Sequence, residues 1–418
     1  MDRVDSRWKP GLLTLIVAAA LLLRLGLLAM QSGRPMEDPD NYLPLARSLA
    51  EGRGLSLNGR ATAYRPPLYP LVLAPLVAGL GDRLSWGVAA LHLALGAGTV
   101  LLTNRAALGM GLSPSRALVA ASLVAFDPVL AVQCRSVMTE TLAALLVACS
   151  LAATTRPGLR GGFLGGVAFG LSALCRPSLL PGAALVTCAS AALGPGDLRA
   201  RLARSTAMAL ATMLTIAPWA ARNLAAVGEP VFTTTHGGYT LALANNPAYY
   251  AEVVDGPPGS VWSGPGQADW FGQITAATYH MTEPQADRWL RASALATIRA
   301  DPRAFARSAV AREGRFWGLA PSGAVYPWHL RIATGLWTLP FWLAAATGLR
   351  RPGLRSWPSA AAPLVAVALA CVHAAYWTDL RMRAPIVPAL ALVAAGARLP
   401  RRAEKNSEFR RISGCKNS

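Results

Sequence analysis

Three carboxylates lie within four residues near the start of the chain, at Glu37, Asp38 and Asp40. The same polar stretch ends at Arg65, directly before the sequence PPLYP, and strongly apolar segments flank it on both sides. A carboxylate can act as a general base on a hydroxyl or amine, and an arginine can hold a phosphate by paired hydrogen bonds. Because a low-dielectric boundary strengthens such charge interactions, this stretch is a candidate active site. On composition alone, an ordinary solvated loop is the alternative.

Further polar residues interrupt the apolar segments downstream. Charge at the edge of a bilayer is costly and usually functional, so these residues extend the candidate site. They are Tyr42 beside the acids, Tyr69 after Arg65, Arg135 with Glu140, Arg222 with Asn223, Asn245 with Asn246, and His373 with Asp379, Arg381 and Arg383.

Several of these residues also have a purely structural alternative. Arg381 and Arg383 could anchor a helix end by extending towards the membrane interface. Glu140 could stabilise the first turn of the helix that starts there. His373 lies in an apolar run, where a hydrogen-bonded structural histidine is more common than a catalyst. The isolated His236 carries no functional signal.

The composition is that of a membrane protein. The chain has 418 residues, 53% of them hydrophobic and 15% charged, with a mean hydropathy of +0.36. Soluble domains carry about 25% charged residues, so many segments must lie in lipid. The formal charge is +19, and the basic excess lies in short loops and in the C-terminal tail. Cytoplasmic loops of membrane proteins have this character, so the excess argues against nucleic-acid binding.

No common soluble-enzyme or metal motif competes with this interpretation. The six cysteines are isolated, mostly within apolar runs, which indicates packing rather than a disulfide framework. The sequence contains no P-loop, no GxSxG and no metal-ligand spacing.

The alternation of apolar segments with basic turns predicts about ten membrane spans with both termini inside. The first span reaches about Met30 with no convincing cleavage site after it, which places the loop 31–66 outside. Segments 68–80 and 86–103 together fit one net crossing of the membrane. The turn that follows them is basic and lacks an acid, which favours the cytoplasmic side. The first of the two segments is too short to span and could be re-entrant or interfacial.

One long hydrophilic stretch, residues 221–327, is neutral rather than basic and is therefore predicted outside. Its first half is rich in Gly, Pro, Asn and Tyr, so we expect irregular structure there. Helices are expected from Glu283 to Trp317, with Asp301 capping the second one. The predicted organisation is an N-terminal transmembrane module (1–220) with a catalytic first external loop (31–66), an extracytoplasmic subdomain (221–327), C-terminal transmembrane helices (328–398) and a basic, disordered cytoplasmic tail (399–418).

Several stretches, taken in order, resemble those of a known family. They are DPDNYLPLARSLAEGRGLS with RPPLYPLVLA, VMTETLAALLVA, GLSALCRPSLLP, PWAARNLAAVGEPV with GGYTLALANNP, and HAAYWTDLRMRAPIVPALALVAA. They are similar to GT-C integral-membrane glycosyltransferases (glycosyltransferase family 39-like), in the branch of the protein O-mannosyltransferases and the lipid A aminoarabinose transferases. In that branch an acid four residues before a Tyr opens the first external loop, and a Lys or Arg before Pro-Pro-Leu-Tyr closes it. Asp38, Tyr42 and Arg65 match this pattern, and the resemblance runs from Met30 to about Ala397.

The resemblance implies roles for the acids. Asp38 would be the catalytic base or the acid that positions the acceptor. Asp40 is the second candidate for the base, because Pro39 replaces the acid that usually follows the first Asp. Glu140 would hold the acceptor or a catalytic group. No metal would be required, although three clustered acids could hold a divalent ion.

The resemblance also implies a set of binding residues. Arg65 would contact the donor phosphate, and Arg381 or Arg383 would do so as well. Five other polar residues of the same face are the predicted substrate contacts: Tyr42, Tyr69, Arg222, Asn245 and His373.

The sequence therefore predicts an all-α polytopic bundle of the GT-C type. By resemblance, it would transfer a hexose or pentose from a polyprenyl-phosphate donor to a glycan, lipid or protein acceptor, with inversion if the displacement is single-step. The predicted location is a bacterial plasma membrane, with the active site facing the periplasm or exterior. The main alternative is a transporter or flippase of lipid-linked sugars, which would more often show internal repeats and charges near mid-membrane. A structural membrane protein without catalysis is the third. The sugar and the acceptor stay open.

Overall fold

The computed structural model describes residues 10–31, 36–257, 260–322 and 326–397. The predicted disordered tail (399–418) and the basic N-terminus lie outside the described residues. Within the described ranges the chain is helical apart from one short β-hairpin.

The first half of the chain contains ten helices and this hairpin within the residues described. They are α1 (Pro10–Ala29), α2 (Tyr42–Ala50), β1 (Ser56–Leu57), β2 (Arg60–Ala61), α3 (Leu68–Leu80), α4 (Leu84–Gly109), α5 (Pro114–Phe126), α6 (Pro128–Val132), α7 (Glu140–Thr154), α8 (Gly158–Cys175), α9 (Leu180–Leu193) and α10 (Leu198–Val227).

The second half continues with eight helices in its described part. They are α11 (Gly237–Ala244), α12 (Pro247–Tyr249), α13 (Pro265–Thr278), α14 (Glu283–Ala300), α15 (Pro302–Phe316), α16 (Trp328–Leu349), α17 (Ala361–Ala375) and α18 (Val387–Ala395). Short 3-10 turns lie at Gly81–Arg83, Gln133–Arg135, Pro177–Leu179, Pro352–Arg355 and Leu380–Ile386, and a π-turn lies at Tyr250–Val254.

Several of these helices are suited to a bilayer. Four helical stretches in the described residues are long and apolar enough to cross one: Gly11–Ala29, Leu68–Gly109, Gly158–Cys175 and Trp328–Leu349. A fifth qualifies if two helices that meet at a 45° bend, Pro114–Phe126 and Pro128–Arg135, count as one span. The chain is therefore a multi-pass membrane protein, whereas the count of about ten spans stays a prediction.

Proline and a capping aspartate explain the bend between α5 and α6. Pro128 cannot donate a hydrogen bond to the preceding turn, so the helix breaks there. The side chain of Asp127 accepts a hydrogen bond from the backbone N–H of Leu130 at 2.8 Å, which starts the new helix. The 3-10 turn Gly81–Arg83 joins α3 to α4. α3 folds back against α4, since the Tyr69 hydroxyl lies 2.7 Å from His92 Nε2.

Glycine allows α8 and α10 to pack closely against each other. α8 carries Gly162, Gly166 and Gly170 at four-residue spacing along its contact with α10. A Cβ at Gly166 would lie 2.2 Å from the Met208 carbonyl oxygen, so only glycine fits there. This packing fixes α10, and α10 carries the chain from the bundle into its long polar segment.

The helices run between two chemically different ends. One end, which we call the basic end, consists of the turns 109–116, 154–161, 194–204 and 350–360. It holds nine arginines and one carboxylate. These turns touch one another: Arg204 donates to the Thr154 carbonyl, and Ser359 to the Met110 carbonyl at 3.5 Å. The opposite, acid end holds the loop 36–67, the turn 133–140, Arg176 and residues 376–383.

Residues 228–327, which we call the insertion, form a second core beside the acid end. Leu241, Tyr249, Trp262, Trp270 and Leu290 are buried together there. The predicted helices from 283 to 317 are confirmed as α14 and α15, and the Asp301 side chain accepts from the Ala304 N–H at 2.8 Å.

Two expectations for this region were wrong. The bundle helix α10 extends to Val227 rather than ending near residue 220. The half predicted to be irregular contains α11 and α13, because burial of Leu241 and Trp270 in the second core stabilises these helices.

Candidate active site

Asp38 is fixed at the start of α2. Its carboxylate oxygens accept hydrogen bonds from the backbone N–H groups of Tyr42 and Leu43, each at 2.8 Å. The backbone carbonyl of Glu37 accepts from the N–H of Val137 at 2.8 Å, which docks the acid loop on the turn before α7. Asp38 is thus held in place while its side chain stays partly exposed.

The surroundings of Asp38 suit a general base. Burial raises the pKa of the Asp38 carboxyl above its ordinary value, and the charge of Asp40 raises it further. The two backbone hydrogen bonds and the charge of Arg65 act in the opposite direction. Each carboxylate oxygen has two lone pairs, so Asp38 can still accept a proton from a substrate while it caps the helix.

Arg65 lies between an acid and a histidine. Its Nη2 is 2.8 Å from Asp40 Oδ1, and its Nη1 is 3.3 Å from His236 Nε2. The guanidinium also stands over the Tyr64 ring, 5.4 Å from the centroid. Arg65, predicted to contact the donor phosphate, is therefore paired with Asp40 in the structure.

His236 contacts this site, although no pattern in the sequence indicated a role for it. Burial, and secondarily the charge of Arg65, lowers the pKa of His236 to about 3, so the ring is neutral. A neutral ring that accepts from Arg65 at Nε2 carries its proton on Nδ1. The contact joins residues 171 positions apart, which local spacing cannot reveal.

A second group of charges surrounds Glu140, whose side chain is fully buried. Glu140 Oε1 lies 3.1 Å from Arg176 Nη1 and 4.0 Å from Arg381 Nε. Glu140 is the first residue of α7, but its carboxylate accepts no hydrogen bond from a backbone N–H of the described chain. The carboxylate faces the two guanidinium groups instead of capping the helix.

The two groups of charges belong to one site. Arg381 interacts electrostatically with Asp40 as well as with Glu140 and Asp379, and its Nε lies 3.2 Å from Asp379 Oδ2. Arg176 was not among the predicted site residues. Its only sequence signal was the Arg-Pro segment of the family resemblance.

The insertion holds the acid loop in place through Glu283. One Glu283 oxygen accepts from the Thr62 hydroxyl at 2.7 Å, and the other accepts from the Ala63 N–H at 2.8 Å. Thr235 also donates to Glu283, and its backbone N–H reaches the Ala63 carbonyl at 3.1 Å. These bonds lie two and three residues before Arg65, so the insertion helps to position its guanidinium.

Arg222 serves the same loop from α10. Its guanidinium donates to the Leu55 carbonyl at 2.6 Å and to the Thr62 carbonyl at 2.8 Å. Arg222 was predicted to contact the substrate. In the structure, both of its terminal nitrogens donate to backbone carbonyls of the first loop and hold that loop in place.

The hydrogen bonds of three other predicted residues go to groups other than the acids of the site. Arg383 is buried and donates to the carbonyl groups of Phe316 and Gly318. Asn245 donates to the Leu241 and Ala375 carbonyls, each at 2.8 Å. His373 Nδ1 lies 3.2 Å from the Trp377 carbonyl oxygen, and its ring stacks on Phe316.

The two predicted tyrosines lie beneath the acid loop. Tyr42 and Tyr69 are both buried, and their rings meet edge to face at 5.2 Å. Tyr42 is also near Arg65, whose guanidinium carbon is 6.0 Å from the ring centroid. The Tyr69 hydroxyl is already hydrogen-bonded to His92. We therefore assign the two tyrosines a supporting role in the site.

The described residues contain no group of three or more His, Cys, Asp or Glu side chains arranged to hold a metal ion. Asp38 is bound by two backbone N–H groups and Asp40 by Arg65, and the side chain of Glu37 is exposed. The three acids therefore do not converge on one point.

Comparisons with known proteins complete this description. No family model and no curated protein matches the sequence, but solved structures match its fold. The oligosaccharyltransferase of Archaeoglobus fulgidus, tethered with an acceptor peptide, aligns with a TM-score of 0.53 at 15% identity over 94% of this chain and 50% of that chain. AglB from the same organism, in complex with an inhibitory peptide and a dolichol-phosphate, gives 0.51 at 13% identity over 93% and 50%. ArnT from Cupriavidus metallidurans gives 0.41 at 14% identity over 93% and 78%.

The chain spans about half the length of the oligosaccharyltransferase that it matches. At this identity the likeness concerns the fold alone. The chain therefore shares the fold of this oligosaccharyltransferase, which agrees with the GT-C fold expected from the motifs.

Proposed function

We propose that this protein transfers a sugar from a polyprenyl-phosphate donor to an acceptor at its acid end. The observation that carries the proposal is the placement of Asp38, with its raised pKa, beside the Asp40–Arg65 pair and the buried Glu140 between Arg176 and Arg381. A base next to several guanidinium groups fits an acceptor that must lose a proton and a leaving group that is an anion. The fold neighbour AglB is described in complex with a dolichol-phosphate, which supports a donor of this class.

The reaction then follows from the charges. Asp38 removes the proton from the acceptor hydroxyl or amine as its oxygen or nitrogen attacks the anomeric carbon. The bond between that carbon and the phosphate oxygen breaks, and its electron pair stays on the phosphate. Arg65 and Arg381 stabilise the added negative charge. A single displacement of this kind inverts the anomeric configuration.

The orientation proposed for the site rests on the distribution of charge between the two ends. Nine arginines and one carboxylate at the basic end are the pattern of a cytoplasmic face. The acid end, with the insertion, then faces the periplasm or the exterior. A lipid-linked donor would place its phosphate at this boundary while its chain stays in lipid.

Purified protein in lipid tests the proposal with a radiolabelled panel of undecaprenyl-phosphate-sugars and crude membranes as acceptor. We expect wild type to release or transfer sugar, and Asp38→Asn to lose this activity by about 10²–10⁴-fold. Glu51→Gln is the matched control, because the exposed Glu51 pairs with the exposed Arg53 on the surface. We expect a chelator to leave the activity unchanged.

Folding and donor binding are measured for all three proteins, so that loss of chemistry is separated from loss of structure. If the donor binds but is never cleaved, and vesicles containing the protein move it across the bilayer, the protein is a flippase. Full activity of Asp38→Asn would remove Asp38 from the base role.

A further inference from the structure

A pocket of about 470 Å³ opens on the insertion between α11 and α13. Its walls are Tyr239, Leu243, Gly264, Gln267, Ala268, Trp270 and Phe271. This volume lies within the range of small-molecule sites, about 300–1,000 Å³. None of the residues that carry the proposed transfer chemistry lines it.

Three polar groups in this pocket have no hydrogen-bond partner within the described ranges. They are the Tyr239 hydroxyl, the Gln267 amide and the indole N–H of Trp270. Although Trp270 is only 8% exposed, its indole N–H is not fully buried and can donate into the pocket. The neighbouring Trp262 differs, since its N–H donates to Glu252 at 3.0 Å. The unpartnered groups of the pocket are thus available to a ligand.

Aromatic rings connect this pocket to Arg65. The ring centroids of Trp270 and Tyr239 lie 6.1 Å apart, those of Tyr239 and His236 lie 5.2 Å apart, and His236 contacts Arg65. A single residue, His236, therefore separates the pocket from the proposed phosphate contact.

We infer that the pocket between α11 and α13 binds a saccharide ring adjacent to the reacting centre. The apolar faces of a sugar ring pack on aromatic side chains, while its hydroxyl groups bind amide, indole and phenol groups. Trp270 and Phe271 supply the apolar contact, and Gln267, Tyr239 and the Trp270 N–H supply the hydrogen bonds. The inference rests on the proposed function for its source of saccharide, which is either the acceptor or a distal sugar of the donor.

Saturation-transfer NMR with purified protein in lipid nanodiscs tests the pocket without any transfer reaction. The probes are methyl glycosides of glucose, galactose, mannose and N-acetylglucosamine, together with their β-linked disaccharides. We expect at least one to bind, and Gln267→Ala and Trp270→Phe to weaken its affinity about 5- to 10-fold through loss of one hydrogen bond each. Gln273→Ala, an exposed glutamine on the same helix, should bind as wild type does.

Two outcomes overturn the inference. One is no binding of any saccharide by a wild type that does transfer sugar. The other is equal binding by Gln267→Ala, Trp270→Phe and Gln273→Ala. The proposed function fails separately, if wild type binds the saccharide but transfers nothing. The Asp38→Asn variant should keep saccharide binding.

A second arm separates the two sources of saccharide. The probe is titrated into protein already loaded with an undecaprenyl-phosphate-linked oligosaccharide. An unchanged affinity assigns the pocket to the acceptor, and displacement of the probe assigns it to a distal sugar of the donor.

Discussion

At the scale of single residues, the central question is which acid removes the proton. Asp40 is committed to Arg65 at 2.8 Å, so its negative charge already holds the guanidinium in place. Asp38 makes no ion pair in the described chain and has a raised pKa. A base gains from a raised pKa, because its proton affinity is then closer to what the reaction needs near neutral pH. The geometry therefore favours Asp38 as the base and Asp40 as the residue that orients Arg65.

The variant Asp40→Asn distinguishes these roles. A base must be ionised, so activity falls when the pH drops through the pKa of Asp38. The charge of Asp40 raises that pKa, and Arg65 lowers it. Removing the Asp40 charge should therefore shift the acidic limb of the kcat/KM profile to lower pH while activity persists. The measurement is transfer rate against pH for wild type and the variant.

An inactive but folded Asp40→Asn that still binds donor would assign the base to Asp40 instead. Glu37→Gln is the control, because the exposed Glu37 side chain does not interact with Asp38 in this way. Its acidic limb should coincide with that of wild type.

At the scale of elements, the start of α14 acts as a clamp on the first loop. Glu283 accepts hydrogen bonds from Thr62, Ala63 and Thr235, and so joins the loop to the insertion. Hydrogen bonds to a charged group contribute about 1.5–3 kcal/mol each. The loop that carries Arg65 thus depends on a residue more than 200 positions away in the chain.

Glu283→Ala should release this loop. We expect donor affinity to fall about 10-fold, because Arg65 loses its fixed position, and we expect faster proteolysis within residues 51–65. Binding of labelled donor and limited proteolysis measure the two effects. Glu229→Ala is the control: its pair with Arg288 is exposed, and such pairs contribute about 0–1 kcal/mol. Equal proteolysis of both variants would show that Glu283 does not hold the loop.

At the scale of the whole molecule, local patterns account for the bundle better than for the site. Apolar runs and basic turns predicted the helices, and Asp301 predicted the start of α15. Spacing could not show that His236 and Arg176 join the site, because their contacts are long-range. Nor could it show that Arg383 is bound by backbone carbonyls. When a polar side chain lies in an apolar segment, the sequence indicates that this side chain has a partner. Only the fold shows whether the partner is a substrate or the backbone.

The charge difference between the two ends predicts which end of the molecule faces outwards. Moving nine arginines across a bilayer is far more costly than retaining them inside, so the basic end should be cytoplasmic. Ala61 lies exposed on the hairpin at the acid end, and Ser115 lies exposed in the first turn of α5 at the basic end. Ala61→Cys should react with a membrane-impermeant maleimide in intact cells, and Ser115→Cys only after the cells are permeabilised. Wild type measures the background from the native cysteines. Reaction of Ser115→Cys in intact cells, with Ala61→Cys protected, would reverse the orientation and place the transfer site in the cytoplasm.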